Sequence, residues 1–107
     1  MNIFARELSE RDRQTIGECL SAAAQKEFFP EWEFETLFGI SRRQLFAVRD
    51  KWPNVDADEE NVSAAVIGAL NHLLGYPHMQ DARWNKHISV GPDAIRLILD
   101  KLLSLGL

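Results

Sequence analysis

Residues 37–52, LFGISRRQLFAVRDKW, decide how the rest of the chain is read. Gly39 marks the end of one helix, because glycine adopts the left-handed conformation at a C-terminus without steric cost. Ser41 and Gln44 then form a capping-box pattern: a serine, with a glutamine three residues on, reciprocally satisfying the first free amides of a new helix. That helix runs to about Trp52, where Pro53 stops it. Two helices joined by so short a turn must form a corner.

The same signals recur on both sides. Upstream, Ser9 is a helix cap with Asp12 three residues on, and Ile16, Leu20, Ala23, Ala24 and Phe28 follow at helical spacing. This helix is expected to end near Phe29, before Pro30, and residues 2–8 to form a short helical lead-in. Pro30 suits the first turn of the next helix, whose apolar stripe is Phe34, Leu37 and Phe38. Downstream, Asp56 or Asp58 is expected to cap a helix lined by Val62, Val66, Ala69, Leu70, Leu73 and Leu74 and closed by Gly75. The stretch YPHMQDARWNKHIS reads as irregular, with one turn of helix near Trp84. Gly91-Pro92-Asp93 opens a last helix reaching about Leu105. ISRRQLFAVRDKW and VGPDAIRLILDKL, 50 residues apart, are faintly alike, as two capped amphipathic helices are by chance. Nothing alternates with period two, so no sheet is expected. The predicted architecture is all-α: one compact domain over residues 1–107, four to five helices, with a helix-turn-helix-like corner at 31–52.

The totals fit that reading. The chain has 107 residues, 46% of them apolar, enough for one packed core. Its net charge is −4, the opposite of the basic footprint of a nucleic-acid coat. The charge is uneven: residues 41–51 hold Arg42, Arg43, Arg49 and Lys51 against Asp50, while residues 52–75 hold four acids and no base. With a single cysteine, Cys19, no internal disulfide forms, which suits a reducing compartment. No stretch approaches the ~18 apolar residues of a membrane span, and MNIFARELSERDR lacks the apolar run of a signal peptide. A cytoplasmic protein with no membrane association is expected.

With Gly39 as the turn glycine, the buried positions of a helix-turn-helix fall on Phe34, Phe38, Ile40, Leu45 and Val48, all apolar. The segment Glu31 to Asp50 therefore resembles that DNA-binding motif. The resemblance implies that the helix after the turn reads the major groove, with Arg42 and Arg43 near phosphates or guanine edges and Gln44 near an adenine. Two residues depart from it. Glu35 occupies the place where the two helices press together and a small residue is usual, so either a carboxylate is desolvated or the helices splay apart. Phe46 is the other: at about 100° per residue, Leu45, Val48 and Trp52 face the core and Phe46 falls opposite, among Arg42, Arg43, Arg49 and Asp50.

Burying a Phe side chain is worth about 1.5–3 kcal/mol, so a ring left on a charged face awaits a cover. Ile3 and Phe4 could supply it; so could a partner, since aromatic and arginine side chains are enriched at interface centres. Leu97 repeats the pattern on the last helix, within a polar side of Asp93, Arg96, Asp100, Lys101 and Ser104, opposite a core stripe of Ile95, Ile98, Leu99 and Leu102 widened by Ala94, Leu103 and Leu105. FFPEWEF, residues 28–34, sets Phe29 and Trp32 beside Glu27, Glu31, Glu33 and Glu35; it is either corner packing or an acidic, aromatic surface for a basic partner.

Chemistry is sparse. His72, His78 and His87, taken with Cys19 or Asp81, match no metal-ligand spacing, and no metal or cofactor is expected. DADEEN begins like a calcium loop but has Asn61 where glycine and Ile67 where glutamate are required. Cys19 lies among Ile16, Leu20 and Ala23 and reads as a buried small apolar residue. Asn71, His72, Tyr76 and His78 could line a small pocket, or Asn71 could pin the GYPH loop. The reading favoured is a non-catalytic protein-interaction module that binds another protein, or itself, through the 41–52 helix: Phe46, Arg42, Arg43 and Arg49, with Leu97 as a further contact. The alternatives are a DNA-binding regulator and, last, an enzyme using His72, Tyr76 and His78.

Overall fold

The computed structural model describes residues 3–25, 28–76 and 84–107. These residues form α1 (Ile3–Glu7), α2 (Glu10–Ala23), α3 (Glu31–Phe38), α4 (Arg42–Lys51), α5 (Glu60–Gly75), α6 (Trp84–His87) and α7 (Pro92–Ser104), with no strand among them. The all-α expectation holds: five longer helices, plus the lead-in α1 and the turn α6 at Trp84.

Local signals set most of the boundaries. The Ser9 hydroxyl accepts from the Asp12 amide at 3.1 Å. The Ser41 hydroxyl accepts from the Gln44 amide at 3.1 Å while the Gln44 side chain accepts from the Ser41 amide at 2.8 Å, completing the capping box. Gly39, at φ 73°, takes the left-handed conformation and donates to Glu35. Pro92 occupies the first turn of α7.

Three boundaries differ from the sequence reading. Pro30 is the cap residue of α3 rather than part of its first turn, and α2 ends at Ala23, well before Phe29. Ending early leaves carbonyls of the last turn without amide partners, and a side chain from elsewhere meets them, as described below. Neither Asp56 nor Asp58 caps α5. The cap position is Glu59, with no side-chain hydrogen bond, because the Asp56 carboxylate is turned onto the Asp58 amide at 2.9 Å.

The core is built around α5, against which α2, α3, α4 and α7 all pack. Its small residues allow close approach. A Cβ on Gly68 would stand 2.8 Å from the Phe38 ring, so the ring occupies the space that glycine leaves. On α2, Gly17 does the same for Trp52, whose indole would meet an added Cβ at 3.2 Å. The Trp52 Nε1–H donates to the Arg13 carbonyl at 2.8 Å, and Phe4 packs on the indole at 4.9 Å between centroids. One continuous buried cluster joins α1 through α7, with Phe4, Leu20, Phe29, Leu45, Leu70 and Ile95 among its enclosed side chains. The five apolar corner positions expected to be buried are all buried: Phe34, Phe38, Ile40, Leu45 and Val48. Glu35 is exposed, so no carboxylate is trapped where α3 meets α4. Leu103, expected to widen the α7 core stripe, is half exposed instead.

Candidate functional site

The α3–α4 corner carries most of the residues singled out by sequence, and it does not use them alike. Arg42 is only 8% exposed. Its Nη1 donates to the carbonyls of Ala24 at 2.7 Å and Ala23 at 3.4 Å, and its Nη2 to that of Phe29 at 2.6 Å. Its Nε donates to the Glu31 carboxylate at 2.9 Å. The guanidinium also lies 4.4 Å over the Phe34 ring. Arg42 thus closes the open end of α2, where a cation is also favoured by the helix dipole. Arg13 serves α1 in the same way, donating to the carbonyls of Leu8 at 2.6 Å and Ala5 at 3.2 Å. The expectation that Arg42 faces a partner is therefore corrected: its donors are taken up inside the chain.

Phe46 is corrected as well. It is half-buried and packs against the core cluster, with the Arg49 guanidinium 4.5 Å over its ring. The reason lies in the helix wheel. Phe46 sits about 100° from Leu45 rather than opposite it, and burial of Arg42 widens the inward arc of α4 toward it. Arg49 is held in turn by Asp50 at 3.0 Å. Arg43 is exposed.

The outward aromatic of the corner is Trp32. It is 79% exposed, while Phe28, Phe29 and Phe34 from the same FFPEWEF stretch are buried. Trp32 shares the solvent-facing side of α3 with the exposed Glu35 and Thr36. Helix α3 carries Glu31, Glu33 and Glu35 and no base. The signal was present in the wheel of α3, where Trp32 lies far from Phe34 and Phe38; it was masked by the density of aromatics around it. Leu97 stands apart on α7 and is 71% exposed.

The pocket suggested near the end of α5 is taken up by packing. His72 is in contact with a carbonyl, that of Leu37, at 2.7 Å; a carbonyl can only accept, so Nε2 carries the proton. Its ring packs against Phe38 at 5.1 Å and Phe29 at 6.4 Å. The Tyr76 hydroxyl donates a short hydrogen bond to the Glu33 carboxylate, which raises the Tyr76 pKa above its ordinary value. Asn71 is exposed, and His78 lies outside the described residues. Cys19 is fully enclosed, and burial, with Glu18 adding to it, pushes its thiol up to about 12, far from the thiolate a nucleophile requires. Among the described residues no group of three or more potential metal ligands assembles, and no helix is long and apolar enough to cross a membrane.

No protein-family model, curated protein or solved structure matches this chain.

Proposed function

We propose that this chain is a non-catalytic protein-interaction module whose α3–α4 corner receives a basic surface of another protein. The observation that carries the reading is Trp32: a large aromatic, 79% exposed, on a helix with three acids and no base. Tryptophan is the side chain most enriched at energetic centres of interfaces, and its ring face attracts cations. Glu31 and Glu33 are engaged by Arg42 and Tyr76, but Glu35, exposed beside Trp32 on the same side of α3, pairs with no described side chain and gives that face the sign that a lysine- or arginine-bearing partner complements. A single buried thiol suits a reducing compartment, which we read as the cytoplasm.

A displayed random-peptide library selected on the folded chain tests this. Binders are expected to carry lysine or arginine, and Trp32→Ala is expected to weaken them about 30-fold or more, the effect of losing about 2 kcal/mol at an interface centre. Binders indifferent to Trp32, or without cationic character, would overturn it. The DNA-reading alternative has lost Arg42 to the interior and the Gln44 carbonyl oxygen to the capping box. Retardation of a DNA duplex at low salt, abolished by Arg43→Ala, would restore it.

A further inference from the structure

Helices α2 and α7 both pack on α5 and leave a groove of about 260 Å³ between them, lined by Arg11, Asp12 and Thr15 on one side and by Val90, Leu97 and Lys101 among others on the second. Leu97, 71% exposed, stands at this groove. On the α7 wheel its neighbours are Asp93, Arg96, Asp100 and Lys101, all exposed. Among the described residues, three ion pairs form within the chain: Arg6 with Glu7, Arg42 with Glu31, and Arg49 with Asp50. None involves this face, and the charged groups of Arg11, Asp93, Arg96, Asp100 and Lys101 make no hydrogen bond there.

We propose that the α2–α7 groove is the seat of a second copy of this chain, paired about a two-fold axis through Leu97. A two-fold interface sets one patch against itself, so the patch must carry both signs of charge. The α7 face does: with two α7 helices antiparallel and the Leu97 side chains meeting near the axis, Asp93, four residues before Leu97, comes level with Lys101, four residues after it, of the second copy, and Lys101 with its Asp93. The solvent face of α3 does not, because the same operation there would oppose acid to acid. Leu97 supplies the apolar centre and the groove receives it, while the uncommitted charges form the polar rim of a protein–protein contact. This pairing is independent of any partner at Trp32.

Sedimentation velocity from micromolar to millimolar protein tests it, on the wild-type chain, Leu97→Asp and, as control, Trp32→Asp. Both substitutions replace exposed side chains, and a melting curve on each confirms folding. The expected result is a wild-type species approaching twice the 12.2 kDa chain mass, retained by Trp32→Asp and lost by Leu97→Asp. A wild-type chain that stays monomeric throughout overturns the proposal. So does a dimer that survives Leu97→Asp, and so does one that Trp32→Asp also dissolves.

Discussion

Arg42 and Arg96 each stand on an amphipathic helix near an apolar residue that looks misplaced, yet their fates differ. Arg42 is enclosed, with its donors on the carbonyls of Ala23, Ala24 and Phe29 and on Glu31. Arg96 is exposed and unpaired among the described residues. The difference lies in what the neighbouring backbone leaves unmet. Helix α2 ends early and presents free carbonyls beside α4, and a planar, always-charged fork can meet several at once. Among the described residues, no carbonyl or carboxylate accepts from Arg96 on α7. A helical arginine is thus drawn inward or left outside by an acceptor it cannot choose, and only the one left outside is available to another molecule.

Replacing each arginine is the strongest way to break this comparison. Arg42→Ala leaves its carbonyl and carboxylate partners facing one another without the cation, and is expected to lower stability by about 3–5 kcal/mol, read as a shifted urea midpoint. Arg96→Ala is expected to stay within about 0.5 kcal/mol of the wild type. Equal losses would show that the corner arginine is no more committed than the surface one.

Alkaline titration sharpens the contrast between committed and free groups. The Cys19 thiol is raised from 9.0 to about 12, so the folded chain keeps a proton that the unfolded chain releases. Stability is then whole below pH 9 and falls as pH climbs toward 12, by up to about 1.4 kcal/mol for each pH unit from this group. Tyr76, raised by its bond to Glu33, acts in the same sense above its ordinary value of 10.0. Cys19→Ala is expected to flatten the fall in a denaturant series at stepped pH. An unchanged slope would remove Cys19 as its source.

The smallest effects separate the two aromatics of the corner. Phe46→Ala removes a half-buried ring and is expected to cost about 1 kcal/mol, whereas Trp32→Ala is expected to move the melting temperature hardly at all, within about 0.5 kcal/mol. A larger loss at Trp32 than at Phe46 would reverse which ring is treated as outward.

What was legible in the sequence is what is decided within a few residues. The caps at Ser9 and Ser41, the left-handed Gly39 and the Gly91-Pro92 start depend on neighbours one to three positions away, and they stand where expected. The errors at Arg42, Phe46 and the end of α2 have the opposite property. Arg42 reaches carbonyls 13 to 19 residues upstream, and the early end of α2 is met through that reach. No periodicity encodes such a contact. Phe46 was misplaced for the same reason, since the inward arc of α4 widens only once Arg42 is known to be buried. Asp56 failed as a cap because the nearer Asp58 amide captured its carboxylate. Trp32 and Leu97 were visible as apolar residues among charges, but only the packed molecule separates them from Phe46.

The central place of α5 bears on how the chain comes into being. Helices α2, α3 and α4 precede residue 60 in sequence, yet each rests on α5, and Phe38 fits only into the notch at Gly68. During synthesis from the N-terminus, the first half therefore emerges with the sides that rest on α5 bare, and those sides wait for residues 60–75 before they are sheltered. For those seconds on the ribosome the bare sides are exposed to other chains, and the net negative charge of the first 40 residues, eight acids against four bases, opposes their approach.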